Sequence, residues 1–252
     1  MLRAFFVALL FTLLLGTPAR AQFVEDYNPP PSNCCWLATA KTLSDQMQDW
    51  NQLGRFHSAD EELMKQPPDP KRVVFLGDSI TEGWHLQQFF PGKPYVNRGI
   101  GGQTTPQMLV RTYPDVIDLK PAAVIILAGT NDIAQNTGPE TLTMVEENFQ
   151  AIIELAQRHG IKVILCLVTP VGDYSVHKWT EHRPPSDILK LNAWLREYAA
   201  KTHAVLADYY SVLVDEKGAM RQSDSDDGLH PNAKGYELMV PVAESAIERA
   251  LH

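Results

Sequence analysis

The 252-residue chain is poor in cysteine and in clustered positive charge, and both shortages exclude classes of protein. It has three cysteines and no CxxC pair, so a structural zinc site is not expected. Cys166 lies in the apolar run VILCLV and is expected in the core, whereas the pairing of Cys34 and Cys35 stays open. Lys and Arg number 22 against 30 Asp and Glu, without a cluster of five basic residues, which argues against a nucleic-acid partner.

The chain also lacks an apolar run that is long enough to span a membrane. Its most apolar stretch, Ala4 to Leu15, is shorter than the ~20 residues that a spanning helix needs. Arg3 precedes this stretch and a small-residue site ending at Ala21 follows it, which is the arrangement of a secretory signal peptide. We therefore expect export to the periplasm or the extracellular space, cleavage after about Ala21, and no stable membrane insertion afterwards.

Residues 22–71 are expected to form a linker and an extra helical segment. Apolar residues recur every three or four positions from Trp36 to Leu53 and predict one face of a helix. The letters SADE fit a capping box in which Ser58 is closed by Glu61, and they predict a second short helix. We interpret the segment as extra helix packed on the main domain, with a lid or docking helix as the alternative.

Residues 72–252 alternate between short apolar runs and longer helical patterns. Expected strands are Val73–Leu76, Tyr95–Asn97, Ala123–Leu127, Val163–Val168 and Ala204–Ala207. Expected helices are Thr81–Phe90, Thr105–Leu119, Pro139–His159, Ser186–Thr202 and Lys234–Leu251. This alternation indicates βαβ units and a mainly parallel sheet. In such sheets the ligand site lies beyond the carboxyl ends of the strands.

The stretch VVFLGDSITEGW places Ser79 between an expected buried strand and an expected helix. A serine there can be a nucleophile, because the N–H groups of a helix start favour developing negative charge. It can equally be the cap of that helix. The residue alone leaves both interpretations open, and Asp78 beside it is a candidate contact for a substrate.

Other loops contain the groups that a reacting serine needs. In DGLHP, His230 can take the serine proton and Asp227 can orient the imidazole, unless both belong to a merely acidic surface loop. Gly102 in GIGG and Asn131 in GTND can donate hydrogen bonds to an oxyanion, as can the Ser79 amide. The alternatives for these two loops are a flexible turn and an Asx-type turn.

Three other motifs are incomplete. The nucleophile elbow G-x-S-x-G needs glycine at position 81, where Thr81 stands. GIGG lacks the Gly-Lys-Ser/Thr ending of a phosphate-binding loop, and SDSDDG departs from a calcium-binding loop at three ligand positions. The sequence therefore offers no support for these three kinds of site.

Taken in order, four sequence blocks resemble those of the SGNH hydrolases, also called GDSL esterases/lipases. They are GDSI at Ser79, GIGGQTT at Gly102, GTND at Asn131, and DGLHP with Asp227 and His230. The resemblance extends from about Arg72 to the C-terminus. One departure is Gln103, where many relatives carry aspartate, and this leaves the subfamily open.

The resemblance implies a flavodoxin-like three-layer α/β/α sandwich without a metal or organic cofactor. It implies Ser79 as nucleophile, His230 as general base and then acid, and Asp227 as the residue that orients it. It also implies that Gly102, Asn131 and the Ser79 amide form the oxyanion hole.

We therefore expect a secreted carboxylic-ester hydrolase that acts through an acyl-enzyme on short acyl groups, acetyl above all, with carbohydrate esters as candidate substrates. The stretch GDYSVHKWTEHRPP is a candidate pocket wall, in which Tyr174 and Trp179 either stack on a sugar or pack against the sheet. The alternatives are a lysophospholipase or thioesterase, an acyltransferase, and a catalytically idle carbohydrate-binding protein. The oligomeric state is left open.

Overall fold

The computed structural model describes residues 36–252. The expected signal peptide, the linker that follows it, and Cys34 and Cys35 lie outside this range. The chain divides into a unit ending at Lys41, of which only the start of one helix is described, and a second unit, Thr42–His252. Within the described residues, no helix is both long and apolar enough to cross a membrane.

A five-stranded parallel sheet forms the centre of the second unit. Its strands are β1 (Val73–Gly77), β2 (Tyr95–Gly99), β3 (Ala123–Leu127), β4 (Lys162–Cys166) and β5 (Val205–Ala207). Their order in the sheet is β2-β1-β3-β4-β5, and every neighbouring pair is parallel. The order reverses between β1 and β3, and this switch point is where open α/β sheets form a crevice for ligands. The predicted strands are confirmed to within two residues at each end.

Helices cover both faces of the sheet. The helices of the described residues are α1 (Trp36–Gln48), α2 (His57–Met64), α3 (Ser79–Glu82), α4 (Leu86–Phe89), α5 (Thr105–Thr112), α6 (Thr130–Ile133), α7 (Leu142–Arg158), α8 (Trp179–His182), α9 (Pro185–Thr202), α10 (Tyr209–Leu213) and α11 (Ala233–Leu251). Those that cover the two faces are α3, α4, α5, α7, α9, α10 and α11. Successive strand residues point to opposite faces. Val74 and Leu76 of β1 pack in a core with α5, α7 and α9, whereas Val73 and Phe75 pack in a second core with α3, α4, α10 and α11. The predicted three-layer α/β/α sandwich is therefore confirmed, as is the burial of Cys166.

Two predicted helices are interrupted. The expected helix Thr81–Phe90 is split into α3 and α4, because the side-chain amide of Asn97 donates to the carbonyls of Thr81 and Trp84 at 2.6 and 3.0 Å. The expected helix Thr105–Leu119 changes to a π-helical turn over Tyr113–Ile117. That turn contains a proline, which has no N–H for the regular α-helical hydrogen bond.

The expected single apolar face from Trp36 to Leu53 is not confirmed. Helix α1 ends at Gln48, and the chain continues into turns that contain Trp50 and Leu53. Leu43 and Met47 are 56% and 83% exposed, so this part of the helix does not bury an apolar face within the second unit.

The second short helix is present, but its predicted capping box is wrong. Helix α2 begins at His57, and its N-cap, Phe56, makes no side-chain capping bond. Ser58 therefore lies inside the first turn. The helix is attached to the sheet by an ion pair between buried Asp60 and buried Arg98 of β2, whose Nε donates at 3.0 Å.

Candidate active site

Ser79 is the first residue of α3, directly beyond the carboxyl end of β1. The helix is capped by Asp78, whose Oδ1 accepts from the Ile80 amide at 2.9 Å. The Ser79 hydroxyl therefore does not serve as the cap. It lies 2.9 Å from Nε2 of His230, so the geometry supports the first of the two interpretations of this serine.

Asp227 holds the other side of the imidazole. Its Oδ2 is 2.7 Å from Nδ1 of His230, and its Oδ1 accepts from the amides of Leu229 and His230 at 2.9 and 2.8 Å. Burial raises the pKa of Asp227, but the hydrogen bonds from the His230 ring and from these amides outweigh it and lower the pKa to about 2. Because an ionised carboxylate only accepts, Nδ1 of His230 is the donor and Nε2 is free to accept from Ser79.

The loop between Asp227 and His230 is fixed by the segment that follows β4. Gly228 has φ +91°, and a side chain there would collide with the carbonyl of Gly172. The Gly172 amide in turn donates to the Gly228 carbonyl at 2.7 Å. The indole Nε1 of Trp179 donates to the Asp227 carbonyl, also at 2.7 Å. These contacts set where the carboxylate and the imidazole can lie.

Two candidate oxyanion donors follow β2 and β3, the strands on either side of β1. Gly102 follows β2 with φ +76°, a conformation that glycine adopts without strain, and it is exposed. Asn131 lies in α6, which follows β3. Its Nδ2 donates to the Gln103 carbonyl at 3.1 Å, and its Oδ1 accepts from Nη2 of Arg183 at 3.1 Å. Since a guanidinium only donates, the amide oxygen must face Arg183 and the NH₂ group must face the loop of Gly102.

One open cavity of about 520 Å³ joins most of these groups. Its lining consists of Ser79, Gly102, Asn131, Ala134, Asn136, Trp179, His182, Arg183, Leu229 and His230. The structure thus brings the predicted nucleophile, base and oxyanion donors to one place, and no carboxylate is among the lining residues. The arrangement can deliver a hydroxyl oxygen to a carbonyl carbon while N–H groups receive the developing charge.

Two of the three predicted substrate contacts lie elsewhere. Asp78 is only 1% exposed and is not among the residues that line the cavity, and burial raises its pKa to about 7. Tyr174 does not line the cavity either, since its hydroxyl donates to the Ser225 carbonyl at 3.1 Å. Trp179 does line it, with the Arg183 guanidinium 5.0 Å from its ring.

The sequence analysis singled out none of three polar residues of the cavity, although two of them, His182 and Arg183, lie in the stretch that was expected as a pocket wall. Asn136 donates to Oδ1 of Asn131 at 3.1 Å, and Arg183 donates to the same oxygen. His182 is the last residue of helix α8 and also lines the cavity. No local pattern marks Arg183 or Asn136, because their importance depends on a contact with Asn131 that only the fold creates.

Comparison with known proteins agrees with this fold. Residues 75–238 match the GDSL-like Lipase/Acylhydrolase family. A solved protein of Bacteroides fragilis NCTC 9343, described as a candidate acylhydrolase, is 40% identical with a TM-score of 0.75, over 81% of this chain and 99% of that one. A solved GDSL-like lipase from Bacteroides thetaiotaomicron VPI-5482 is 38% identical with a TM-score of 0.73, over 79% of this chain and 98% of that one.

Two curated proteins are similar over part of their length. The lipoprotein YqeF of Bacillus subtilis, described as uncharacterized, is 35% identical over 118 residues, which are 39% of this chain and 49% of that protein. The acetylxylan esterase of Xylanibacter ruminicola is 25% identical over 227 residues, covering 73% of this chain and 45% of that protein. The chain therefore spans less than half the length of these relatives.

Proposed function

The chain belongs to the GDSL-like lipase/acylhydrolase family, and we propose that it is a serine esterase which forms an acyl-enzyme on Ser79. The observation that carries the proposal is the chain of two short contacts from Ser79 through His230 to Asp227, at 2.9 and 2.7 Å. These are the groups that activate a hydroxyl near neutral pH.

In the proposed reaction, Oγ of Ser79 attacks the ester carbonyl and its proton moves to Nε2 of His230. The Asp227 carboxylate stabilises the imidazolium that forms. The oxyanion accepts hydrogen bonds from the amides of Ser79 and Gly102 and from the Asn131 side chain. His230 then gives its proton to the departing alcohol. Water then attacks the acyl carbonyl and gives its proton to His230. His230 returns this proton to Oγ of Ser79 as the acyl–oxygen bond breaks and the acid leaves.

We propose short acyl groups, acetyl above all, with esters of carbohydrates as the substrate class. Support comes from the similarity to an acetylxylan esterase and from Trp179, which gives the cavity an aromatic wall. A lysophospholipase or thioesterase is the second candidate, and it would prefer long acyl chains. A series of p-nitrophenyl esters from C2 to C12, followed by acetylated xylan and lysophosphatidylcholine, separates the two.

We also propose that the protein is exported. The proposed organisation is a signal peptide over residues 1–21, an N-terminal linker and extra helical segment over residues 22–71, and a hydrolase domain over residues 72–252. The similarity to a lipoprotein of Bacillus subtilis supports export. N-terminal sequencing of the protein purified from the periplasm or the medium should begin at Gln22, and an intact N-terminus would contradict the proposal.

Hydrolysis of p-nitrophenyl acetate tests the proposed function. The wild type should turn over this ester, and Ser79→Ala should abolish turnover with an unchanged melting temperature. Addition of an acceptor alcohol distinguishes an acyltransferase, because transfer yields a new ester in place of free acid. An inactive wild type would favour the idle binding protein and contradict the esterase.

A further inference from the structure

We propose that residues 49–60, called the clamp segment, position the oxyanion site, an inference that rests on the proposed function. The segment precedes the family match, which begins at residue 75. Three side chains, those of Gln103, Gln107 and Glu82, connect this segment to the loop 101–103 or to the residue after it. The loop carries the Gly102 amide. The same loop supplies the Gln103 carbonyl that binds Asn131. An element that fixes this loop therefore fixes two of the three proposed oxyanion donors.

The first contact is made by the side chain of Gln103, which is 1% exposed. Its Oε1 accepts from Nε of Arg111 at 2.6 Å, and its Nε2 donates to the Asn51 carbonyl at 2.9 Å. Because the guanidinium can only donate, the orientation of the amide is fixed and its NH₂ group must face Asn51. Gln103 is thus bound through its side chain to the clamp segment and through its backbone to Asn131.

The second contact lies one helical turn further on. Nε2 of Gln107 donates to the Trp50 carbonyl, and its Oε1 accepts from the Thr104 amide at 3.2 Å. Gln107 therefore bridges the clamp segment and the residue that follows the loop. Two consecutive carbonyls of the segment, those of Trp50 and Asn51, are held by two side chains on either side of the start of α5.

The third contact reaches the loop from its other end. Oε2 of Glu82 accepts from the Gly101 amide at 2.8 Å, and Oε1 of the same carboxylate is 2.5 Å from Nη2 of Arg55. Arg55 belongs to the clamp segment. It holds the Glu82 carboxylate in the position where the carboxylate binds Gly101, the residue before Gly102.

The clamp segment is itself fixed by contacts that do not involve the loop. The Asp49 carboxylate accepts from the amides of Leu53 and Gly54 at 2.7 and 2.9 Å. At its other end, Asp60 pairs with buried Arg98 of β2. The segment is therefore anchored to the sheet independently and can serve as a reference for the loop. Displacing a catalytic donor by about 1 Å can cost up to about 10²-fold in rate.

Substitutions at three residues test the proposal, and the readout is a change in kcat without a change in KM for p-nitrophenyl acetate. Gln103→Glu keeps the acceptor for Arg111 and replaces the donor to Asn51, and it should lower kcat about tenfold. Gln107→Glu likewise keeps the acceptor for the Thr104 amide and removes the donor to the Trp50 carbonyl, so a similar decrease in kcat is expected. Arg55→Gln should lower kcat about threefold, in the range of exposed ion pairs, and Arg55→Lys should restore part of the loss. KM should stay within about twofold, since oxyanion donors act on the transition state.

Arg196→Gln is the matched control, because it breaks a similarly exposed ion pair with Asp208 and neither residue lines the cavity. Its kcat should equal that of the wild type. The proposal is overturned if kcat is unchanged in Gln103→Glu and Arg55→Gln, or if these variants have a lower melting temperature and the kcat of the wild type. If Gln103→Glu does not fold, the surface variant Arg55→Gln decides. Wild-type turnover that Ser79→Ala abolishes establishes the esterase separately, so failure of the clamp is distinguishable from failure of the proposed function.

Discussion

Oγ of Ser79 lies 2.9 Å from Nε2 of His230, although the two residues are 151 positions apart in the sequence. Ser79 begins the first helix after β1, and His230 lies just before α11, the last helix. They meet because β1 is an interior strand of the sheet and α11 packs on the face that α3 also covers. The proposed chemistry depends on this contact and on the groups that hold it in place.

Asp227→Asn should lower kcat by about 10³-fold or more. An asparagine is nearly the same size, but it cannot supply the negative charge that keeps the hydrogen of His230 on Nδ1 and stabilises the imidazolium. Steady-state hydrolysis of p-nitrophenyl acetate measures the effect. Asp226→Asn, a change at the exposed neighbouring residue, is the control. Similar activity in the two variants would exclude Asp227 as the orienting group.

Asn131→Ala should lower kcat by about 10²- to 10³-fold, the usual cost of one oxyanion donor. Arg183→Gln should lower it about tenfold, because the charged hydrogen bond that orients the Asn131 amide is lost. In the Asn131→Ala background the same Arg183 substitution should have less than about a twofold effect. Effects that multiply instead would show that Arg183 acts independently of Asn131.

The free energy of unfolding should depend on pH through Asp78. Burial raises the pKa of this carboxyl from 3.8 to about 7, so the folded state binds a proton that the unfolded state has lost. Protonated Asp78 contributes up to about 4 kcal/mol to the free energy of unfolding. This contribution is fully present below pH 4 and is lost as the pH rises through 7. Urea unfolding of wild type and Asp78→Asn from pH 4 to 8 should give curves that diverge. Parallel curves would contradict the raised pKa.

Gly228→Ala should destabilise the protein and lower kcat together. At φ +91° an alanine is strained, and its Cβ would also meet the Gly172 carbonyl, which moves the loop of Asp227 and His230. Gly218→Ala is the control, since Gly218 has φ +84° but no atom within 4 Å of the added Cβ. It should cost about 1–2 kcal/mol of stability with unchanged kcat. Equal losses in both variants would mean that backbone strain alone is responsible.

The regular parts of the fold were predictable because their causes are local. The strand Ala123–Leu127 was predicted with its observed bounds, since an apolar run between a proline and a glycine has few other interpretations. The break in the expected helix Thr81–Phe90 was not predictable, because its cause is Asn97, on a different strand. The wrong capping box at Ser58 shows the reverse case, in which a local pattern was present but the N-cap is Phe56, two residues earlier.

The candidate site divides in the same way. Ser79, Gly102 and Asn131 each follow a strand, so the parallel sheet predicts that they meet at one edge. Asp78 was predicted as a substrate contact from its position beside Ser79, but it is directed into the helix start as a cap. Arg183 and Gln103 become important only through contacts made by folding, to Asn131 and to the Asn51 carbonyl. Such contacts leave no mark in a single sequence.

Labelling with a fluorophosphonate tests the central claim most directly. The reagent should add to the wild type with one equivalent bound, and peptide mass spectrometry should locate it on Ser79. Ser79→Ala should stay unlabelled, and His230→Ala should label far more slowly, although both should keep the melting temperature of the wild type. A wild type that does not react, or a label found on another residue with equal reaction of Ser79→Ala, would contradict the account.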